Sequence, residues 1–136
     1  MDDLQENLLF DLVKDTQLEG ELSRPAISST IENPLCGDVV TLFLESDESG
    51  FIKNIRFKVK GCFLCRASAA ALAERVDGIS KSDAIQVIEK FHSEFMSHEK
   101  STDESPVFQQ LHKLRQYPTR VKCVLLAFEA LEKLVR

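Results

Sequence analysis

No stretch of this 136-residue chain approaches the roughly 20 consecutive apolar residues that span a bilayer as a helix, which excludes a helical membrane anchor within it. The first residues, MDDLQENLLFDLVKD, lack the basic start and apolar run of a secretory signal and the arginines of a transit peptide. A cytoplasmic protein in a reducing compartment, or an already mature chain, is the expectation. Cations are in short supply: 17 Lys and Arg face 22 Asp and Glu, for a net charge of −5. That balance argues against general nucleic-acid binding, which needs many phosphate-neutralising side chains. Cysteines number only four. In a cytosolic setting so few thiols read as metal ligands or nucleophiles rather than disulfides, and the competing reading is small buried hydrophobes. Internal repeats are absent and no second domain is indicated. Residues 1–136 are expected to form one domain, with an N-terminal helix and linker over 1–20 and a polar loop over 97–106.

What is present is ordinary globular material, 43% apolar and 29% charged, in a chain long enough to bury a core. Leu4, Leu8, Leu9, Leu12 and Val13 recur at helical spacing in an otherwise polar segment. Arg24-Pro25 and Asn33-Pro34 punctuate the chain, and AISSTIE between them suits a short edge strand. VVTLFLES (39–46) is rich in β-branched and aromatic residues, and Asp47-Glu48-Ser49-Gly50 reads as a turn. In FIKNIRFKVK, Ile55, Phe57 and Val59 alternate with Arg56, Lys58 and Lys60, so one strand face is apolar and the other basic. The two strands predict an antiparallel hairpin with a single buried face.

After Gly61 the pattern switches to CFLCRASAAALAERV, an alanine-rich helix ending before Asp77-Gly78. Ser80 with Asp83 makes a capping box that opens a helix carrying Ala84, Val87, Ile88, Phe91 and Phe95. A short helix around VFQQLHKLRQ and a last one near VKCVLLAFEALEKLV complete the chain. The fold class expected is α+β, a small antiparallel sheet of about three strands covered by helices.

The cysteines lie at element boundaries. Cys36 sits in the turn Asn33-Pro34-Leu35-Cys36-Gly37-Asp38, where Gly37 lets a thiol and a carboxylate aim at a common ion. The turn residues account for the turn but not for the thiol. Cys62 is placed where a strand ends and a helix begins, a position that favours thiolate through the helix dipole. Cys65 follows three residues later, and a lone CxxC pair is redox-active, half a zinc site or coincidence. Cys123 is expected at the start of the last helix, beside Lys122 and after Arg120.

Asn33-Pro-Leu-Cys36-Gly-Asp38, then Gly61-Cys62 opening an Ala/Ser-rich helix, then Lys122-Cys123 opening the final one, resembles the IscU/SufU/NifU N-domain family. The likeness runs from about Leu8 to the C-terminus and is closest to the SufU type. Lys122 occupies the place of a histidine in IscU-type members, the gap between Cys62 and Cys123 is long, and a Leu-Pro-Pro-Val-Lys motif is missing. Lys14-Asp15-Thr16 replaces another family segment, which puts N-terminal docking contacts in question. What the resemblance implies is a metal site of Cys36, Asp38, Cys62 and Cys123. It would hold Zn2+ at rest or an iron–sulfur cluster transiently, with Cys36 as the sulfur acceptor. The implied role is iron–sulfur cluster assembly, as scaffold or sulfur carrier rather than enzyme. Its implied partners are a cysteine desulfurase and downstream iron–sulfur apoproteins or carriers, with no nucleic acid and no membrane, and the chain is expected to be a monomer. Cys65 departs from the family pattern and is read as a packing residue ahead of a spare ligand or sulfur relay.

His92, His98 and His112 share no ligand spacing and are expected at the surface. Arg56, Lys58 and Lys60 form either a solvated strand face or a dock for an acidic partner, and Arg120 and Lys122 are candidates to steady thiolates near Cys123. Two other functions compete: a structural zinc-binding interaction domain, and, more weakly, a CxxC oxidoreductase on Cys62 and Cys65. Scattered ligands including a carboxylate suit an exchangeable site better than a structural one, and the oxidoreductase lacks its βαβ setting.

Overall fold

The computed structural model describes residues 3–14, 17–23, 26–34 and 37–136, with the backbone alone for 3–8. In chain order the elements are α1 (Asp3–Lys14), β1 (Ile27–Glu32), β2 (Val39–Ser46), β3 (Ile52–Lys60), α2 (Phe63–Val76), α3 (Lys81–Met96), α4 (Pro106–Lys113) and α5 (Pro118–Val135). The α+β layout expected from the pattern is the one observed.

The sheet is antiparallel in the order β1-β2-β3. Period-two alternation puts Val40, Leu42 and Leu44 of β2 on the buried face, with Ile55, Phe57 and Val59 of β3 beside them. Ile52 is also fully buried, out of phase with Ile55. The register shift at Glu45/Ser46, where Ser46 pairs with Ile52 and Glu45 with Asn54, supplies the extra residue that returns Ile52 to the core side. At the hairpin end, Asp47 Oδ1 accepts from the amides of Ser49 (2.9 Å) and Phe51 (3.0 Å), and Gly50 takes φ +84°. The outer edge of β3 is partly covered: Phe57 N donates to Leu18 O, and Gly20 N to Phe57 O.

Against the buried face lies α2, buried around most of its circumference through Cys65, Ala67, Ser68, Ala69, Ala70, Ala71, Leu72, Ala73 and Val76. Alanine serves twice here, favouring helix and letting neighbouring elements approach from several sides. Its buried hydroxyl is satisfied, since Ser68 Oγ donates to Val124 O at 2.6 Å. Both α2 and α1 contribute to the core, the latter through Leu9 and Leu12, and α5 packs on α2, β1 and β2. The capping serine of α3 is as read: Ser80 Oγ accepts from Asp83 N at 3.0 Å.

Two expectations need correction. The last helix starts three residues before Val121, at Pro118, because proline is preorganised for the first helical position and its missing N–H is not needed there. Tyr117 before it is extended (φ −110°, ψ 96°), as a residue preceding proline prefers. Cys123 therefore lies in the second turn, beyond the reach of the helix-end field.

The second concerns His112, which is buried rather than superficial. It sits on the face of α4 that carries Phe108 and Leu111, edge-on to Phe91 at 4.6 Å. Arg115 lies 3.3 Å from Nδ1, and a guanidinium only donates, so the ring is neutral with its proton on Nε2. Burial first, then the Arg115 charge, pull its pKa below the ordinary value, outweighing Glu94 and Asp103. A histidine held neutral in the fold contributes stability above its unfolded pKa of about 6.5, lost as the pH falls through that value toward the lower folded one. His112→Phe is thus expected to flatten the decline of the urea midpoint as the pH falls below about 6.5. An unchanged slope would assign the decline to other groups.

Candidate metal centre

Three elements bring the site together. The first is the turn from β1 into β2, closed by Asn33 N donating to Asp38 O and Gly37 N to Asn33 O, both at 2.8 Å. Gly37 adopts φ +76°, the left-handed conformation for which its lack of a Cβ suits it. Asp38 then points inward and is buried. The second element is the start of α2. Cys62 is its N-cap residue, in extended conformation, and its side chain makes no capping bond. Its amide donates to Asp38 Oδ1 at 3.2 Å, so the carboxylate occupies the positive end of the helix. The third is α5, which presents the buried Cys123.

Gly61 allows this approach by its lack of a side chain. A Cβ there would lie 2.5 Å from Asp38 Oδ1 and 2.8 Å from Asp38 Cγ. The carboxylate and the end of β3 can share this space only if residue 61 is glycine.

One ligand atom each from Asp38, Cys62, Cys65 and Cys123 lies within 4.8 Å of every other. Asp38 Oδ2 accepts from Cys65 Sγ and from Cys123 Sγ, both at 3.4 Å, and Cys65 Sγ is 3.5 Å from Cys123 O. Of the four residues expected at the site, Asp38, Cys62 and Cys123 are brought together, while Cys36 lies outside the described residues. The fourth member of the cluster is Cys65, which the sequence reading set aside. The signal was there: positions three apart in a helical first turn share a face, and Cys62 was already a candidate. What could not be read is that α5 places Cys123 opposite that face.

The donor chemistry fits a thiophilic divalent ion. Thiolates and a carboxylate at about 2.3 and 2.0 Å fill a tetrahedral zinc shell. Four acidic groups in one pocket resist ionising together. Burial, followed by the hydrogen bond and charge of Cys62 and then Asp38, pushes the Cys123 thiol up to about 12. Burial, then the Cys62 charge and the Asp38 hydrogen bond, push Cys65 up as well. Metal binding must therefore displace protons.

The flanking cations point elsewhere. Lys122 Nζ pairs with Glu129 at 3.2 Å along the exposed side of α5, not with the thiols. Lys58 pairs with Glu21 at 2.7 Å, which neutralises the middle of the basic strip. Arg66 bonds Glu19 and donates to Val59 O, bracing the start of α2 against the end of β3. No helix among the described residues is long and apolar enough to cross a membrane.

Comparison with known proteins follows the same lines. The chain is 29% identical to the iron-sulfur cluster assembly scaffold protein IscU of Thermotoga maritima, over 94% of this chain and 89% of that one. It is 27% identical to the zinc-dependent sulfurtransferase SufU of Bacillus subtilis, over 98% and 90%. A crystal structure of a scaffold protein assigned to the SUF system of Fervidobacterium islandicum superposes with a TM-score of 0.84 at 25% identity, covering 94% of this chain and 93% of that one. Residues 5–135 match the NifU-like N terminal domain, and the chain belongs to that family.

Proposed function

We propose that this protein works in iron–sulfur cluster assembly, accepting sulfur from a cysteine desulfurase and serving as carrier or scaffold. The observation that carries this reading is the convergence of Asp38, Cys62, Cys65 and Cys123 in a chain alike, nearly end to end, to a scaffold protein and a zinc-dependent sulfurtransferase. Cys36, Asp38, Cys62 and Cys123 hold the resting ion, and an iron–sulfur cluster is cargo built or passed on at the same thiols. Zinc, when bound, supplies the positive charge that keeps these thiols ionised. The reducing cytoplasm suits a site whose described cysteines are all free.

Cys36 is the acceptor. Its thiolate attacks the terminal sulfur of the desulfurase persulfide, the S–S bond within that persulfide breaks, and the desulfurase cysteine leaves as thiolate. The exchange is electron-balanced and needs no outside oxidant. Asp38, two positions after Cys36 in the sequence, is anchored to the start of α2, and the role is that of a co-substrate rather than an enzyme.

Incubation with a cysteine desulfurase and cysteine tests this by mass spectrometry of the intact protein and its peptides. One added sulfur on Cys36, faster desulfurase turnover and loss of both in Cys36→Ala are expected. A chain that gains no sulfur and leaves turnover unchanged would instead be a structural zinc domain.

A further inference from the structure

We propose that Cys65 is a metal ligand which, with Asp38, Cys62 and Cys123, closes a four-donor shell around zinc without Cys36. The proposal rests on the metal-site reading above and concerns which thiol this chain adds to it.

The geometry is specific. A tetrahedral ion held at about 2.0 Å by oxygen and about 2.3 Å by sulfur separates those donors by about 3.5 Å, and two sulfurs by about 3.8 Å. Asp38 Oδ2 stands 3.4 Å from both Cys65 Sγ and Cys123 Sγ, so two edges of such a tetrahedron already have their length. The remaining donor pairs lie within 4.8 Å and close by about 1 Å of side-chain rotation. Cys62 and Cys65 bracket the first turn of α2 on one face, Cys123 comes from α5, and Asp38 from the strand entry. Cys65 is fully buried, and the polar atoms near its sulfur, Asp38 Oδ2 at 3.4 Å and Cys123 O at 3.5 Å, both favour a cation.

The consequence is an exchange of like for like. Three thiolates and one carboxylate would surround a bound ion whether the third thiolate were Cys36 or Cys65. Coordination number and charge of the shell are therefore unchanged when one replaces the other. With zinc bound, Cys65 would hold the ion in place of Cys36, alongside Asp38, Cys62 and Cys123. Cys65 would give up its proton to solvent on taking the ion, and Cys36 would be left as the thiolate that sulfur transfer requires. A partner protein need not donate a ligand to keep the ion in place.

A hydrogen-bonding role is the competing explanation, since an S–H···O contact also spans 3.4 Å. Zinc content and chelator competition on the wild type, Cys36→Ala, Cys65→Ser and the double variant separate the two, because serine keeps the hydrogen bond but is a poor zinc ligand. Expected are one zinc per chain in the wild type and both single variants, with affinities within about tenfold, and a further loss of about 100-fold or more in the double variant. With Co2+ in place of zinc, the sulfur-to-metal charge-transfer intensity of Cys36→Ala should equal that of the wild type. Cys36→Ala losing zinc that the wild type holds, or the double variant binding as tightly as Cys36→Ala, would overturn the proposal and leave the Cys36 site standing. A wild type that binds no zinc would overturn both. Should the double variant fail to fold, iodoacetamide on zinc-loaded wild type decides: one adduct on Cys36 with zinc retained is expected, and zinc release in step with that adduct refutes it.

Discussion

Gly61→Ala is expected to lower zinc affinity by about 100-fold and to destabilise the protein by about 1–3 kcal/mol, although residue 61 contributes no ligand. The new methyl group would sit 2.5 Å from Asp38 Oδ1, inside any tolerable contact, with the carboxylate's own Cβ 2.9 Å away. Neither side yields easily. Residue 61 follows β3 directly, and Asp38 is pinned by its bond from the Cys62 amide and by two thiols. Relief requires the carboxylate to swing out, leaving the Cys62 amide unpaired and removing the oxygen donor from the cluster. Chelator competition reads the affinity and urea unfolding of the metal-free protein reads the stability. Wild-type affinity in Gly61→Ala would mean that Asp38 is dispensable to the ion.

Phe128→Ala is expected to cost about 3–5 kcal/mol, a large part of the stability of a domain of this size, while leaving one zinc per chain in the molecules that stay folded. Phe128 stacks on Phe91 with centroids 4.1 Å apart and planes 9° from parallel, and Phe108 approaches at 5.8 Å. It is buried in the middle of α5, where truncation opens a cavity that Phe91, Phe95 and Phe108 can fill only in part. The urea midpoint should fall with an unchanged slope, whereas Phe128→Leu should recover most of the loss. A drop below about 1 kcal/mol would show that the aromatic cluster collapses into the space.

The strands β2 and β3 could be read because alternation of apolar and polar residues is a local property, as were the capping serine of α3 and the alanine content of α2. The bulge at Glu45/Ser46 could not, since it shows only when two strands are paired. His112 was assigned to the surface by residue type, although its spacing of four from Phe108 put it on the apolar face of α4. The apolar spacing of α5 begins at Val121, so its pattern does not show the first turn, which Pro118 opens.

By itself the sequence determined the element types, the α+β class, the boundary position of Cys62, and the motif order that carried the family resemblance. Each of these depends on neighbours within a turn or a strand. The family resemblance already implied that Asp38, Cys62 and Cys123 share a site; tertiary structure alone decided that Gly61 is required by a carboxylate 23 positions away in the chain and that Cys65 joins the cluster. Cys65 was set aside as packing, and it is indeed fully buried. Its burial is against Asp38 and Cys123, and no local pattern encodes which distant groups a buried side chain will face.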